Sequence, residues 1–293
     1  MMVSFIDANR VDFGIEPICA VLQVAPSTYY SAKSRPLSAR AARDLVLAAT
    51  IKMLFDANYG VYGARKMWKA MGRAGEDVGR DQVARIMRGL GIAGVRRGAK
   101  VFTTRPDSTA NRAPDLVERK FTAEHPNALW VTDLTYVPTW SQMAYVCFIV
   151  DVYSRVIVGW RVASNMRTDM VLDALNMASW HRGARLDGLV CHSDAGSQFT
   201  SIRYTERLDE IGARPSIGSV ADSYDNALAE TVNGLYKTEL IRRQAPWRTV
   251  DDVELATLSW VHWFNNTRLH SALGDIPPIE FEAAHYAQLA PAG

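Results

Sequence analysis

Three acidic residues stand at spacings that suit phosphodiester chemistry: Asp133 in LWVTDLTYVPT, Asp194 in VCHSDAGSQFTS and Glu230 in ADSYDNALAETVNGLYK. Sixty residues separate the first two, and 35 separate the last two. Cutting a phosphodiester requires a hydroxyl to be activated and a leaving oxyanion to be neutralised together. Two divalent ions about 3.5–4 Å apart can do both. Mg²⁺ takes oxygen ligands and few of them from protein, so two or three carboxylates suffice. Taken singly, each acid has a plainer reading: Asp133 as an edge or turn residue, Asp194 as a turn former, Glu230 as a solvated helix residue. Their joint placement on a strand, a loop and a helix gives them weight. His192 and Ser193 do not form a Ser/His/Asp relay with Asp194, because adjacent strand residues point to opposite faces. His192 either lines the site or packs in the core. His262, His270 and His285 show no zinc spacing.

The elements that must position these acids follow from pattern. Leu129–Pro138 is rich in β-formers. Residues 145–151 and 156–161 predict two more strands, joined by the polar turn 152–155. A helix over 168–180 is expected to be capped by Thr168, with Met170, Leu172, Ala174, Leu175 and Met177 as its apolar surface. Short strands are expected at 189–192 and 213–216, with a helix at 201–211 between them. A helix over 225–240 carries Glu230. Along it Asn226, Glu230, Asn233 and Lys237 fall at i, i+4, i+7 and i+11 and share a polar face. Leu228, Val232 and Leu235 are expected to form the face that docks on the sheet. A lysine two turns past the acid can hold a DNA phosphate beside a metal. A helix over 251–265 then leads into NNTRLHSALGDIPPIEF. The layout is α/β with a mixed sheet.

The N-terminal half reads as helical. Ile15, Ile18, Cys19 and Leu22 lie at helical spacing, Pro26 breaks and Ser27 caps, so 15–32 reads helix, turn, helix. A long helix over 39–57 shows a stripe of Leu45, Ala48, Ala49, Lys52 and Met53. Helices over 64–71 and 81–90 follow, the second burying Val83, Ile86, Met87 and Leu90, with Gly91 as its C-terminal cap. Arg80, Arg85, Arg88, Arg96 and Arg97 fall mostly off that face and are candidate DNA contacts. Residues 1–120 hold 20 Lys+Arg against 11 Asp+Glu, whereas 121–293 hold 13 against 20. A basic front suits phosphates and an acidic back suits cations, although ordinary solvated helix faces give the same balance. The polar, proline-containing stretch 103–115 marks a linker. Four parts are expected: a helical DNA-binding region at 1–102, a linker at 103–125, a catalytic core at 126–245 and a helical extension at 246–293. Apolar residues make up 48% of the chain, which excludes a disordered one. No apolar run reaches a membrane span, the start lacks a signal-peptide pattern, and three scattered cysteines suit a reducing compartment. A cytoplasmic protein with no membrane partner is expected.

WVTDLTY, HSDAGSQFTS, DSYDNALAE with Lys237 seven residues after Glu230, and WFNNTRLHSALG are similar to the motifs of DDE transposases of bacterial insertion sequences. Within them the chain resembles the second-frame product of the insertion-sequence-three group, relatives of retroviral integrases, over almost its whole length. YGARKMWKAM and VARIMRGLGI look like that group's helical DNA-binding region. The resemblance implies an RNase H-like integrase core preceded by an all-α, helix-turn-helix-like region. It implies Mg²⁺ or Mn²⁺, as two ions, held by Asp133, Asp194 and Glu230. It places Lys237 on DNA near the site, and Asn226, Asn233 and Arg268 are counted with it as DNA contacts. Asn265 and His270 match motif positions without an assigned role. Ser223 stands where many relatives have cysteine. The implied reaction is cleavage and strand transfer at the terminal inverted repeats of an element, into target DNA, by a homo-oligomer bridging DNA ends. An upstream-frame fusion or partner is implied as well. Two other readings stay open: a DNA-binding regulator or inactive remnant, and an RNase H-like nuclease that cuts without joining.

Overall fold

Helical periodicity governs the N-terminal stretch, which forms α1 (Met2–Phe13), α2 (Ile15–Val21), α3 (Pro26–Ser34) and α4 (Ala39–Ala57) in a computed structural model of the chain. The structure describes residues 2–96, 117, 122–183, 185–194, 196–218 and 227–289. It divides into two compact units, Met1–Thr50 and Ile51–Gly293, with the division inside α4. The expected linker at 103–125 falls largely outside the described residues. In the first unit Ile6, Ile18, Cys19 and Tyr29 form a small core, and the Tyr29 hydroxyl donates to Asp7 at 2.8 Å. The helix α1 had no counterpart in the sequence reading. Ala25, not Ser27, is the residue before α3, and Pro26 takes its first position, where a missing N–H costs nothing. The expected stripe of α4 is also corrected. Leu47, Ile51 and Phe55 are buried, whereas Leu45 and Met53 are exposed. Both faces of α4 are apolar, so periodicity alone could not choose between them.

In the second unit α5 (Ala64–Arg73) and α6 (Arg80–Gly89) form a helix pair. Val83, Ile86 and Met87 are buried as their spacing predicts, but Leu90 ends the helix and is largely exposed. Gly91 follows with φ +66°, a left-handed turn that glycine adopts without strain. The sheet then begins. β1 (Leu129–Pro138), β2 (Met143–Asp151) and β3 (Ile157–Ala163) make an antiparallel meander. The turn between β2 and β3 is built by buried Asp151, whose Oδ1 accepts from the Ser154 N–H and Oγ, both at 2.7 Å. β4 (Val190–Ser193) and β5 (Arg214–Ile217) add in parallel, giving the order β3-β2-β1-β4-β5.

Helices cover both faces. α7 (Thr168–Arg182) starts one residue earlier than a Thr168 cap would require: Arg167 is the extended residue before it and makes no side-chain cap. Its Met170, Val171, Ala174, Leu175 and Ala178 pack with Trp130, Cys147 and Ile149 of the sheet. Gly159 makes that approach possible, since a Cβ there would stand 2.2 Å from the Ala174 carbonyl oxygen. α8 (Ile202–Glu210) is capped by Ser201, whose side chain accepts from the Tyr204 N–H. On the opposite face lie α9 (Ala227–Tyr236), a π-helical turn (Lys237–Ile241), α10 (Arg242–Gln244) and α11 (Val250–Asn266), the last begun by a Thr249/Asp252 capping box. Phe148, Tyr236, Trp260 and Phe264 pack edge to face or tilted, with centroids 4.9–5.2 Å apart along the chain of contacts. Each such pair adds about 0.5–1.5 kcal/mol beyond area burial. α12 (Pro278–Leu289) closes the unit. The docking face of α9 is Ala229, Val232, Asn233 and Tyr236, not Leu228 and Leu235, which are half-buried.

Candidate active site

The β1–β4 register sets two of the acids side by side. Thr132 and Ser193 form the last parallel pair, so the next residue on each strand is Asp133 and Asp194. Neighbouring strands lie about 4.8 Å apart, close enough for strong repulsion between carboxylates. β1 continues to Pro138 whereas β4 stops at Ser193. Beyond Asp133, therefore, β1 has no β4 partner.

Asp133 is half-buried. Its Oδ1 accepts the Leu134 N–H at 2.8 Å and its Oδ2 accepts the Asn233 Nδ2 at 2.9 Å. Burial, then the charge of Asp194, pushes its carboxyl up to about 7, with Glu230 pushing the same way and both hydrogen bonds opposing. Asp194 keeps an exposed surface, yet the protein around it raises its carboxyl, opposed by the Gly196 amide and by His192. The two carboxyls titrate as a coupled pair, so the repulsion belongs to both. His192 is buried, with Nδ1 2.9 Å from the Ser216 Oγ on β5, so it packs and also bears electrostatically on Asp194.

Glu230 lies in the first turn of α9 and reaches Asp133 through its field. Among the described residues no three His, Cys, Asp or Glu side chains stand at metal-ligating spacing. The strand register thus sets Asp133 beside Asp194, and Glu230 bears on Asp133 electrostatically from α9. Asn226 and Ser223 lie outside the described residues. The donor set still suits a hard divalent cation: its groups are all oxygens, and the charged form of Asp133 is disfavoured by what a cation would reverse. The buried Asn233 Oδ1 beside them has no hydrogen-bond partner.

Two residues expected on DNA are placed elsewhere. Asn233 is buried and spends its amide on Asp133, so it joins α9 to β1. Arg268 is 4% exposed and its guanidinium grips Glu239 at 2.6 and 2.9 Å, over the rings of Phe264 and Trp263. That burial leaves it no surface for a phosphate. Glu239 belongs to the π-helical turn, so the pair anchors the backbone just after Lys237. Asn265 holds the start of β3, accepting from and donating to the backbone of Ile157 at 2.9 Å. His270 donates Nε2–H to the Phe264 carbonyl at 3.2 Å, and burial, then Arg268, lowers its pKa to about 2. The Leu269 N–H donates to the Tyr62 hydroxyl at 2.8 Å, and the Trp263 indole donates to Asn58 at 3.1 Å. NNTRLHS is therefore a packing junction with the segment ahead of α5.

Lys237 lies 4.7 Å over the Tyr136 ring, with its ammonium lowered by burial, then by Arg242, and supported by Asp133. Arg80, Arg88 and Arg96 are exposed and Arg85 is half-buried, while Arg97 lies outside the described residues. No helix among the described residues is long and apolar enough to cross a membrane.

Against known families, an integrase core domain matches residues 123–223, a further integrase core domain matches 211–278, and an HTH-like domain matches 41–100. The protein assigned as transposase of insertion sequence element IS986/IS6110 in Mycobacterium tuberculosis is 54% identical over 91% of this chain and 98% of its own length. The transposase of insertion sequence element IS629 from Shigella sonnei is 50% identical over 98% of each. Among solved structures, the HTLV-2 integrase catalytic core domain in complex with magnesium shares 17% identity, covering 55% of this chain and 99% of that one, with a TM-score of 0.44.

Proposed function

Since this chain belongs to the DDE transposases of bacterial insertion sequences, in the insertion-sequence-three group, and so is an integrase-core enzyme of DNA transposition, we propose that Asp133, Asp194 and Glu230 are its catalytic acids. The observation that carries this reading is the Asp133–Asp194 pair, two acids raised above their ordinary range at the open end of β1 and β4. With both acids charged, such a pair costs stability through burial and mutual repulsion, and a shared cation would offset that cost. Asp133, Asp194 and Glu230 would hold Mg²⁺ or Mn²⁺, two ions in the full reading. When bound, these supply charge neutralisation at the attacking and leaving oxygens. Glu230 comes in from the first turn of α9, and Asn233 on the next turn keeps the Asp133 carboxylate aimed. Lys237 takes a phosphate beside the acids.

In this reading water attacks a phosphodiester at the element end and frees a 3′-hydroxyl, which then attacks a second phosphodiester, forming a new P–O bond as that phosphodiester's own 3′-oxygen leaves. No covalent protein–DNA bond forms. The HTH-like segment, with exposed Arg80, Arg88 and Arg96, supplies duplex affinity. A homo-oligomer bridging two ends, assisted by an upstream-frame partner or fusion, completes the proposal. A gel assay on an element-end duplex with Mg²⁺ tests it. Glu230→Gln and Asp133→Asn should each abolish cut and joined products with duplex affinity unchanged. Joined products from either variant would defeat the assignment, and cutting without joining by the wild type would indicate a nuclease.

A further inference from the structure

The turn between β1 and β2 presents an aromatic ring to solvent at the end of the strand that carries Asp133. Trp140 is 70% exposed. Exposure alone assigns nothing, since Trp180 on α7 is 88% exposed; what sets Trp140 apart is the turn that holds it and the cation beside it. The scaffold here is rigid. The Thr139 N–H donates to the Gln142 carbonyl at 3.1 Å, and the Gln142 N–H donates to the Thr139 Oγ1 at 3.1 Å. The Trp140 N–H donates to the Trp247 carbonyl at 3.0 Å and the Ser141 N–H to the Arg248 carbonyl at 3.1 Å. The neighbouring Trp247 is itself buried and donates its indole N–H to Ile241 at 3.0 Å. Two residues on, Thr249 caps α11. The ring is therefore held out by a turn fastened both to itself and to the segment ahead of α11.

A cation accompanies it. The Arg248 guanidinium lies 5.9 Å from the Trp140 ring centre. Four residues earlier on the same stretch, exposed Tyr136 carries the Lys237 ammonium 4.7 Å over its ring. Lys237 in turn feels the charge of Asp133. Two aromatic–cation pairs thus lie beyond Asp133 in the chain, the first on the part of β1 that β4 does not cover and the second in the turn after β1. At 3.3 Å per strand residue the Cα atoms of Tyr136 and Trp140 are at most about 13 Å apart, a span of a few nucleotides. Aromatic faces interleaved with cations are what unpaired nucleotides bind: the ring stacks on a base and the cation meets the phosphate. A paired duplex hides its base faces and gains only the phosphate contact.

We propose that Trp140, backed by Arg248, is a stacking platform for an unpaired base of the DNA strand that runs from the active site past Tyr136 and Lys237. This rests on DNA being the substrate and is independent of which acids catalyse. The platform makes the protein prefer ends with a single-stranded extension, or ends whose terminal pairs open, over fully paired ones.

The test is fluorescence anisotropy with the full chain in EDTA, so that no cleavage intervenes. Three labelled probes are compared: a 20-nucleotide oligo-dT, a blunt duplex, and that duplex with a short oligo-dT tail. Trp140→Ala should weaken oligo-dT and tailed-duplex binding roughly 5- to 150-fold, the range for one lost stacked base, and leave the blunt duplex unchanged. Trp140→Phe should restore most of the loss, and Arg248→Ala should give a smaller selective loss that fades at high salt. Circular dichroism of each variant confirms that folding is kept. Equal losses on all three probes, or none, would overturn the proposal. A shift in sedimentation with unchanged oligo-dT affinity would likewise overturn it and make Trp140 a contact between copies of the chain. Because all binding is read without metal, failure here leaves the acid assignment standing, and the converse holds.

Discussion

Replacing Arg268 by methionine removes the countercharge of Glu239 while keeping most of the side-chain volume. Arg268 is 4% exposed and Glu239 6% exposed, and the guanidinium donates to the carboxylate at 2.6, 2.9 and 3.2 Å. An exposed pair would contribute at most about 1 kcal/mol. Breaking a buried one by removing a single partner costs about 3–5 kcal/mol, because the remaining charge is left in a poorly solvated place. Arg268→Met should therefore lower unfolding free energy by about 4 kcal/mol, and Glu239→Leu by a similar amount. Both losses spring from an orphaned charge, so the double variant should recover to within about 1–2 kcal/mol of the wild type. Urea unfolding of the four proteins, followed by tryptophan fluorescence, measures the cycle. An Arg268→Met protein as stable as the wild type, but with weakened DNA binding and a salt slope reduced by about one, would refute the reasoning and return Arg268 to the phosphate backbone.

Asn233→Leu removes the hydrogen bond to the Asp133 Oδ2, and partners of this kind are worth about 10–100-fold in metal affinity or activity. Strand-transfer rates should fall by that factor at unchanged duplex affinity; an unaltered rate would count against a positioning role. Gly159→Ala puts a Cβ 2.2 Å from the Ala174 carbonyl oxygen, so α7 must shift at a cost of about 1–3 kcal/mol, read as a lowered thermal midpoint. His270 is held neutral, with its pKa lowered to about 2, so below pH 6.5 the unfolded chain takes up a proton that the folded chain refuses. This residue's contribution to stability is present above pH 6.5 and is lost by about 1.4 kcal/mol per unit as pH falls below it. Thermal midpoints of wild type and His270→Asn between pH 5 and 7.5 should converge at the acid end, and parallel curves would refute the assignment.

Much of the core was legible because its elements have strong patterns. The β-rich run over Leu129–Pro138 is a strand with those same ends, and Glu230 does ride on a helix. The polar turn after β2 forms around Asp151. What escaped the sequence was partner choice. Asn233 looked like one more polar residue on the Glu230 face, and only the approach of α9 to β1 turns its amide inward. Arg268 reads as a basic residue in a polar segment, and its burial depends on Glu239, 29 residues earlier. Trp140 carried no signal in the sequence, since exposure cannot be read from identity. The stripe on α4 failed because its two faces are equally apolar. The three acids could be picked out by spacing and resemblance, but spacing is silent on the β1–β4 register that sets Asp133 beside Asp194. Arg80, Arg85 and Arg88, the candidate DNA contacts of α6, stand on a helix that periodicity located to within one residue.

The central claim is that Asp133, Asp194 and Glu230 hold the divalent ion. Anomalous scattering from Mn²⁺ in crystals of the protein bound to an element-end duplex locates that ion directly. The account predicts a peak within about 2.2 Å of carboxylate oxygens of both Asp133 and Asp194, with Glu230 drawn in beside them. A peak that misses this pair, or Mn²⁺ bound among other side chains with the acids left apart, would contradict it.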